Sequence, residues 1–181
     1  MADAERIEVT MPDMDMGDAQ APIPPSEGWH PAILADVDMA YSKEDLDLPE
    51  PVRRRNFILK FALAPDDIEA PGFKPGNFYI PAPSPAEIDY AKKFKAMTKD
   101  EQTQARATNS EMHAKDGRTK VAQKMDWIKR AAAAFGGKET GKFDKNFFVK
   151  QIGQKVMIQL VHEEYQGEIQ ARTNFMGIKP A

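Results

Sequence analysis

The chain has 181 residues, 41% of them apolar, a net charge of −3 and no cysteine. That is enough for one domain with extensions, and it excludes disulfides, thiolate zinc sites and cysteine nucleophiles. No stretch approaches the ~20 apolar residues of a membrane-spanning helix, and the acidic N-terminus lacks the apolar run of a secretory signal, so a cytoplasmic protein is expected.

The small net charge conceals a division. Residues 1–50 hold 13 acids against two bases, Arg6 and Lys43, whereas residues 51–181 hold 23 bases against 15 acids. An acidic arm before a basic body is the asymmetry of a polyanion binder, although a merely solvated tail would look the same.

In chain order, residues 1–26 read as a disordered acidic arm. Met and Asp recur there without period and three prolines follow, so too little apolar surface is available to offset the entropy of ordering. Residues 27–181 read as one domain. Ile33, Ala35, Val37 and Met39 alternate with Leu34, Asp36 and Asp38, which predicts a first strand with one wet face. A polar loop over Lys43–Glu50 follows. Phe57, Leu59, Phe61 and Leu63 share one face of a second strand. Phe78-Tyr79-Ile80 predicts a short third strand, stopped by Pro81 and Pro83.

The middle of the chain, about 84–136, reads as helical. Ser84-Pro85-Ala86-Glu87 forms a capping box with proline at the first helical position, and Thr98 to Glu101 offers a second box. Residues 102–115 are mostly polar and fit either a helix or a loop. Val121, Met125, Ile128, Ala132 and Phe135 are spaced as the apolar stripe of a helix that Gly136-Gly137 ends. Asp144 is placed to cap a short helix holding Phe147, Phe148 and Ile152, closed by Gly153. Val156, Ile158 and Leu160 alternate in a fourth strand, Tyr165-Gln166-Gly167 turns the chain, and Ile169, Ala171, Thr173 and Phe175 alternate in a fifth. The predicted class is mainly β with an α insertion: a five-stranded OB-type β-barrel with a helical insert between strands 3 and 4. Such barrels bind oligonucleotides through strands 2 and 3 and the 1–2 and 4–5 loops.

On that barrel, Arg53, Arg54, Arg55 and Lys60 would place positive charge at the mouth of the groove, where guanidinium forks suit phosphate. A solvated turn, or a dock for the acidic arm, is the alternative for the arginines. Tyr41, Tyr79 and Tyr165 fall at strand ends or in turns and could stack bases, as could Trp29 and Phe175, and Arg172 on the last strand could add a phosphate contact. Lys92, Lys93, Lys95 and Lys99, with Lys124, Lys129 and Arg130, either extend the footprint or form a solvated helix face. Trp127 reads as core. His30, His113 and His162 lie far apart without metal-ligand spacing, Asp66-Asp67-Ile68-Glu69 reads as a plain loop, and there is no phosphate loop, dinucleotide fingerprint or nucleophile elbow. No cofactor and no metal are expected, and the chain reads as a binding protein rather than an enzyme.

Ile152-Gly153-Gln154-Lys155-Val156-Met157-Ile158, Glu164-Tyr165-Gln166-Gly167 and Asn174-Phe175 resemble the closing strands of phage-encoded single-stranded DNA-binding proteins with an OB fold. Gly28-Trp29-His30-Pro31-Ala32-Ile33-Leu34 and the Phe57–Leu63 strand are similar to that family's first two strands. The resemblance covers roughly residues 28–80 and 144–177. It implies non-sequence-specific binding of single-stranded DNA during phage replication or recombination, in the host cytoplasm, with replication or recombination proteins as further partners and a homo-oligomer compatible with the pattern. Two features depart from the family: the segment from Ser84 to Phe135 exceeds a minimal connection, and the acidic segment stands at the N-terminus. The rival expectation is a structural or protein-interaction module, a phage accessory or assembly factor, using the same barrel for protein contacts.

Overall fold

β-branched and aromatic residues at period two build five strands: β1 (Gly28–Tyr41), β2 (Arg55–Leu63), β3 (Phe78–Ala82), β4 (Lys155–Tyr165) and β5 (Glu168–Pro180). Helices α1 (Pro85–Ala96), α2 (Lys99–Thr108) and α3 (Lys120–Ala134) follow β3 in the chain. The computed structural model describes residues 23–138 and 141–181. The acidic arm through residue 22 therefore lies outside the described residues.

The strands form one antiparallel sheet in the order β3-β2-β1-β4-β5. The sheet curls into a half-barrel, and an isolated parallel bridge joins Gly76, just before β3, to Arg172 on β5. β1 serves both halves: Gly28–Ile33 pairs with β4 and Ala32–Tyr41 with β2. Where the two ladders meet, a bulge at Ala35 breaks the register between Leu34 and Asp36, and a second irregularity lies on β5, where residues 174–177 stand against Gln159 of β4. Bulges of this kind bend a strand and sharpen its twist, which lets a sheet curl toward closure.

The core is the inner face of the curl. Leu34, Leu59, Phe78, Ile80, Ile158 and Leu160 are fully buried there, together with Ile128 of α3 and Phe148. α3 packs on both β3 and β5, the two outermost strands of the sheet. It thus covers two edges that would otherwise invite pairing with another chain.

The helix starts follow their local chemistry. Ser84 and Thr98 each accept from the amide three residues on, and Glu87 and Glu101 accept from the amides of Ser84 and Thr98, so both capping boxes are complete. Thr119 caps α3, and Gly136 (φ 74°) supplies the left-handed residue beyond its end.

Four local expectations need correction. On β1 the bulge changes the phase: Ala32 and Leu34 face the core, Ala35 is exposed, and Val37 and Met39 share the face of their partners Leu59 and Phe57. Pro81 does not stop the third strand, which continues to Ala82 with Pro81 opposite Asn56. The helix expected after Asp144 is a single 3-10 turn over Val149–Gln151, and Ile152 is exposed. Residues 23–26, read with the arm, are tied down: His162 Nε2 donates to the Pro25 carbonyl, and Ser26 donates through its amide and hydroxyl to Glu69.

Candidate nucleic-acid interface

Three neighbouring strands build the outer face of the first half of the sheet. Cross-strand partners point the same way, so Asp36, Asp38 and Ala40 of β1 stand beside Lys60, Ile58 and Asn56 of β2, and these beside Tyr79 and Pro81 of β3. Tyr79 is 50% exposed and lies directly opposite Ile58. The ring is held by the ladder on one side and open to solvent on the other.

Three of the five cations expected here, Lys60, Arg54 and Arg172, are paired with carboxylates of the chain. Lys60 Nζ donates to Asp36 at 2.8 Å and to Asp38 at 2.6 Å. The lysine hydrogen bond holds the Asp36 carboxyl below the usual range, and the two carboxylates raise the affinity of Lys60 for its proton. Arg54 donates to both oxygens of Asp45 at 2.7–2.8 Å and to Glu44, and its amide also donates to Asp45. Arg172 pairs with Glu163 at 2.9 Å. Arg53 donates to the Leu48 carbonyl and lies over the Tyr41 ring, 5.5 Å from its centroid. The Tyr41 hydroxyl donates to Glu50, which raises the pKa of the phenol.

The structure therefore separates the eight candidates. Tyr41 and Arg53 form one pair at the exit of β1, Lys60 and Tyr79 share the outer face, Arg172 stands by the Gly76 bridge, and Tyr165 occupies the β4–β5 hairpin tip, 58% exposed. Arg54 is consumed by the 1–2 loop. Arg55 turns toward the start of α1, its Nε donating to the Pro83 carbonyl at 3.0 Å.

Asp45 organises the loop that carries the arginines. The Arg54 side chain and amide together depress its pKa to about 2. A carboxylate whose folded pKa lies below its unfolded value stabilises the fold above the unfolded pKa and loses that contribution as pH falls through the folded one. Stability is thus expected to decline between about pH 4 and pH 2, and Asp45→Asn should shrink that decline when thermal midpoints are measured across the acid range.

His30 is buried beside Asp67, Nδ1 to Oδ2 2.9 Å, and its Nε2 donates to the Ser26 carbonyl. Burial pushes the Asp67 carboxyl up, but the Ala70 amide, His30 and the Glu69 amide outweigh it and the net shift is downward. Asp66 pairs with Lys155. The acidic loop is thus a strut between β1, β4 and the 64–76 connection. Among the described residues no group of three or more His, Asp or Glu side chains could hold a metal.

No protein-family model and no curated protein matches the chain. Among the described residues, no helix is long and apolar enough to cross a membrane.

Two features move the weight from the strands to the helical insert, whose basic residues the sequence offered as an extension of the footprint. Outside the arm, the excess of positive charge resides in the helical insert: residues 84–138 hold 12 bases and 7 acids, whereas residues 23–83 hold 6 bases and 10 acids. Second, a cleft of 490 Å³ opens between the outer face and the helices, lined by Arg55, Asn56, Lys120, Gln123, Lys124 and Trp127 among others. The signal for it was present: Lys120, Gln123, Lys124 and Trp127 recur at helical spacing as a polar stripe beside the apolar one. Trp127, read as core, does pack against the core, but it is only half-buried there and also meets Phe175 edge to face at 5.3 Å.

Proposed function

We propose that this chain is a single-stranded DNA-binding protein of the OB type, gripping unpaired strands without sequence preference in replication or recombination, and a binder rather than an enzyme. One observation carries the reading. Three of the four tyrosines, each exposed or half-buried, occupy the three elements through which OB barrels take oligonucleotides: Tyr79 on the strand 2–3 face, Tyr41 at the start of the 1–2 loop and Tyr165 at the tip of the 4–5 hairpin. Rings so placed offer π-faces to any base, hence sequence tolerance. The sheet order, the β1 bulge and the parallel bridge between Gly76 and Arg172 support the barrel assignment.

Labelled oligo-dT, followed by anisotropy at two salt concentrations and beside the matching RNA, tests the proposal. Affinity should fall by about an order of magnitude or more from 50 to 200 mM salt, as released counterions require for several phosphate contacts. Tyr79→Ala should weaken binding about tenfold, the cost of one lost stack. No binding at low salt would refute the proposal.

The second reading, a protein-interaction module, draws on a different place. Ile23, Phe73, Pro75 and Ile169 line an open groove beneath the β4–β5 hairpin, with Ile169 60% exposed. Apolar surface of this kind favours a protein partner.

A further inference from the structure

The cleft between the sheet and the helical insert has the composition of a nucleotide pocket. Its walls come from separate parts of the fold: Arg55 and Asn56 from the start of β2, Pro81 from the end of β3, Ser84 and Glu87 from the start of α1, and Lys120, Gln123, Lys124 and Trp127 from α3. At 490 Å³ it lies within the ~300–1,000 Å³ range of small-molecule sites.

The charged groups divide into committed and uncommitted ones. Lys124, 8% exposed, donates to both Glu87 oxygens at 2.7–2.8 Å, and that carboxylate also accepts from the Ser84 amide. Arg54 is held by Asp45 and Glu44. Arg55 is different: only its Nε is engaged, by a carbonyl, and neither it nor Lys120 has a carboxylate partner among the described residues. The Pro83 contact fixes the guanidinium plane and leaves its two terminal nitrogens for another acceptor. A carbonyl cannot neutralise a guanidinium, so the half-buried charge is left for an anion. Glu111 is the one lining carboxylate without a cationic partner among the described residues.

The remaining polar walls suit a base. Gln123 and the side-chain oxygen of Asn56, which has no donor among the described residues while its amide nitrogen donates to Ser42, can read hydrogen-bonding edges, and Trp127 supplies an aromatic surface. The cleft also continues the outer face described above, because Asn56 and Pro81 follow Ile58 and Tyr79 at two-residue spacing on the same side of the sheet.

We propose that this cleft holds one nucleotide of the bound strand, its phosphate on Arg55 and Lys120 and its base against Trp127. This deepens the single-strand reading and rests on it. The path of the strand would then leave the sheet over Asn56 and turn toward the positively charged insert.

The experiment uses the full chain carrying Trp29→Phe, which leaves Trp127 as the sole indole. Trp127 emission is followed while oligo-dT, thymidine monophosphate and inorganic phosphate are added, and oligo-dT binding is measured separately by anisotropy. The expected result is a saturable change in Trp127 emission with oligo-dT and, more weakly, with the mononucleotide, with phosphate competing. Lys120→Gln and Arg55→Gln, each checked for an unchanged thermal midpoint, should each weaken oligo-dT by about tenfold. If oligo-dT binds while Trp127 stays silent and both variants match the parent, the cleft is overturned and the single-strand reading survives. If no oligonucleotide binds but the mononucleotide saturates Trp127, the single-strand reading fails, and with it the proposal that the cleft holds part of a strand.

Discussion

Phe148→Ala should destabilise the protein by about 3–5 kcal/mol, the cost of deleting a large side chain from a site that cannot collapse. The ring has no solvent exposure and stands at the junction of three elements. It meets Phe57 of β2 at 5.4 Å and Phe135, at the end of α3, at 6.2 Å. Within its own segment it meets Phe143 at 5.8 Å and Phe147 at 5.4 Å. Edge-to-face pairs of this sort add to simple burial, so the loss should fall toward the upper end of that range. Against a native stability of ~5–15 kcal/mol this is a large fraction. Phe143→Ala, at a half-buried position, should cost clearly less. Urea denaturation of both variants checks the expectation, with a Phe148→Ala loss below about 1 kcal/mol contradicting it.

The same cluster shows what could be read from the chain. Asp144, Phe147, Phe148, Ile152 and Gly153 signalled a short helix before β4; only a 3-10 turn over Val149–Gln151 is there, Gly153 taking φ 90°. That Phe148 joins α3 to β2 is a long-range fact no local pattern carries. β2 was legible because Phe57, Leu59, Phe61 and Leu63 leave one choice of face. β1 was not, because Ile33 and Leu34 are both apolar and Ala35 fits either side. Pairing with two different strands decides the register there and places the bulge. The helix starts were legible because a capping box is a local hydrogen-bond arrangement.

The candidate site was legible in kind more than in detail. Tyr79 and Lys60 share an outer face, as their places on β3 and β2 imply. The sequence reading put the positive charge on the barrel, however, because it counted cations without their partners. Asp36 and Asp38 sit more than twenty residues from Lys60 and reach it only through the β1–β2 register. With those pairs formed, the sheet is nearly neutral, and the bases without a carboxylate partner among the described residues include Arg53, Arg55 and most lysines of the insert, Lys124 excepted.

That pairing makes a prediction of opposite sign to ordinary site mutagenesis. Replacing Asp36 and Asp38 together by Asn should tighten oligo-dT binding. In the parent, Lys60 can reach a phosphate only by leaving two carboxylates at 2.6–2.8 Å, and those carboxylates then face the phosphate as like charges. All three side chains are more than a third exposed, so each pair is weak and the gain is bounded: between about twofold and thirtyfold at low salt, shrinking as salt screens the pairs. Lys60→Gln alone should weaken binding only slightly, because its charge is already compensated. The decisive comparison is the triple variant. If the tightening comes from release of Lys60, adding Lys60→Gln to the Asn pair should remove most of it, and the salt slope should drop by about 0.7, the contribution of one phosphate contact on a single strand. If the tightening persists without Lys60, the carboxylates act on the strand through the general field, and Lys60 makes no phosphate contact.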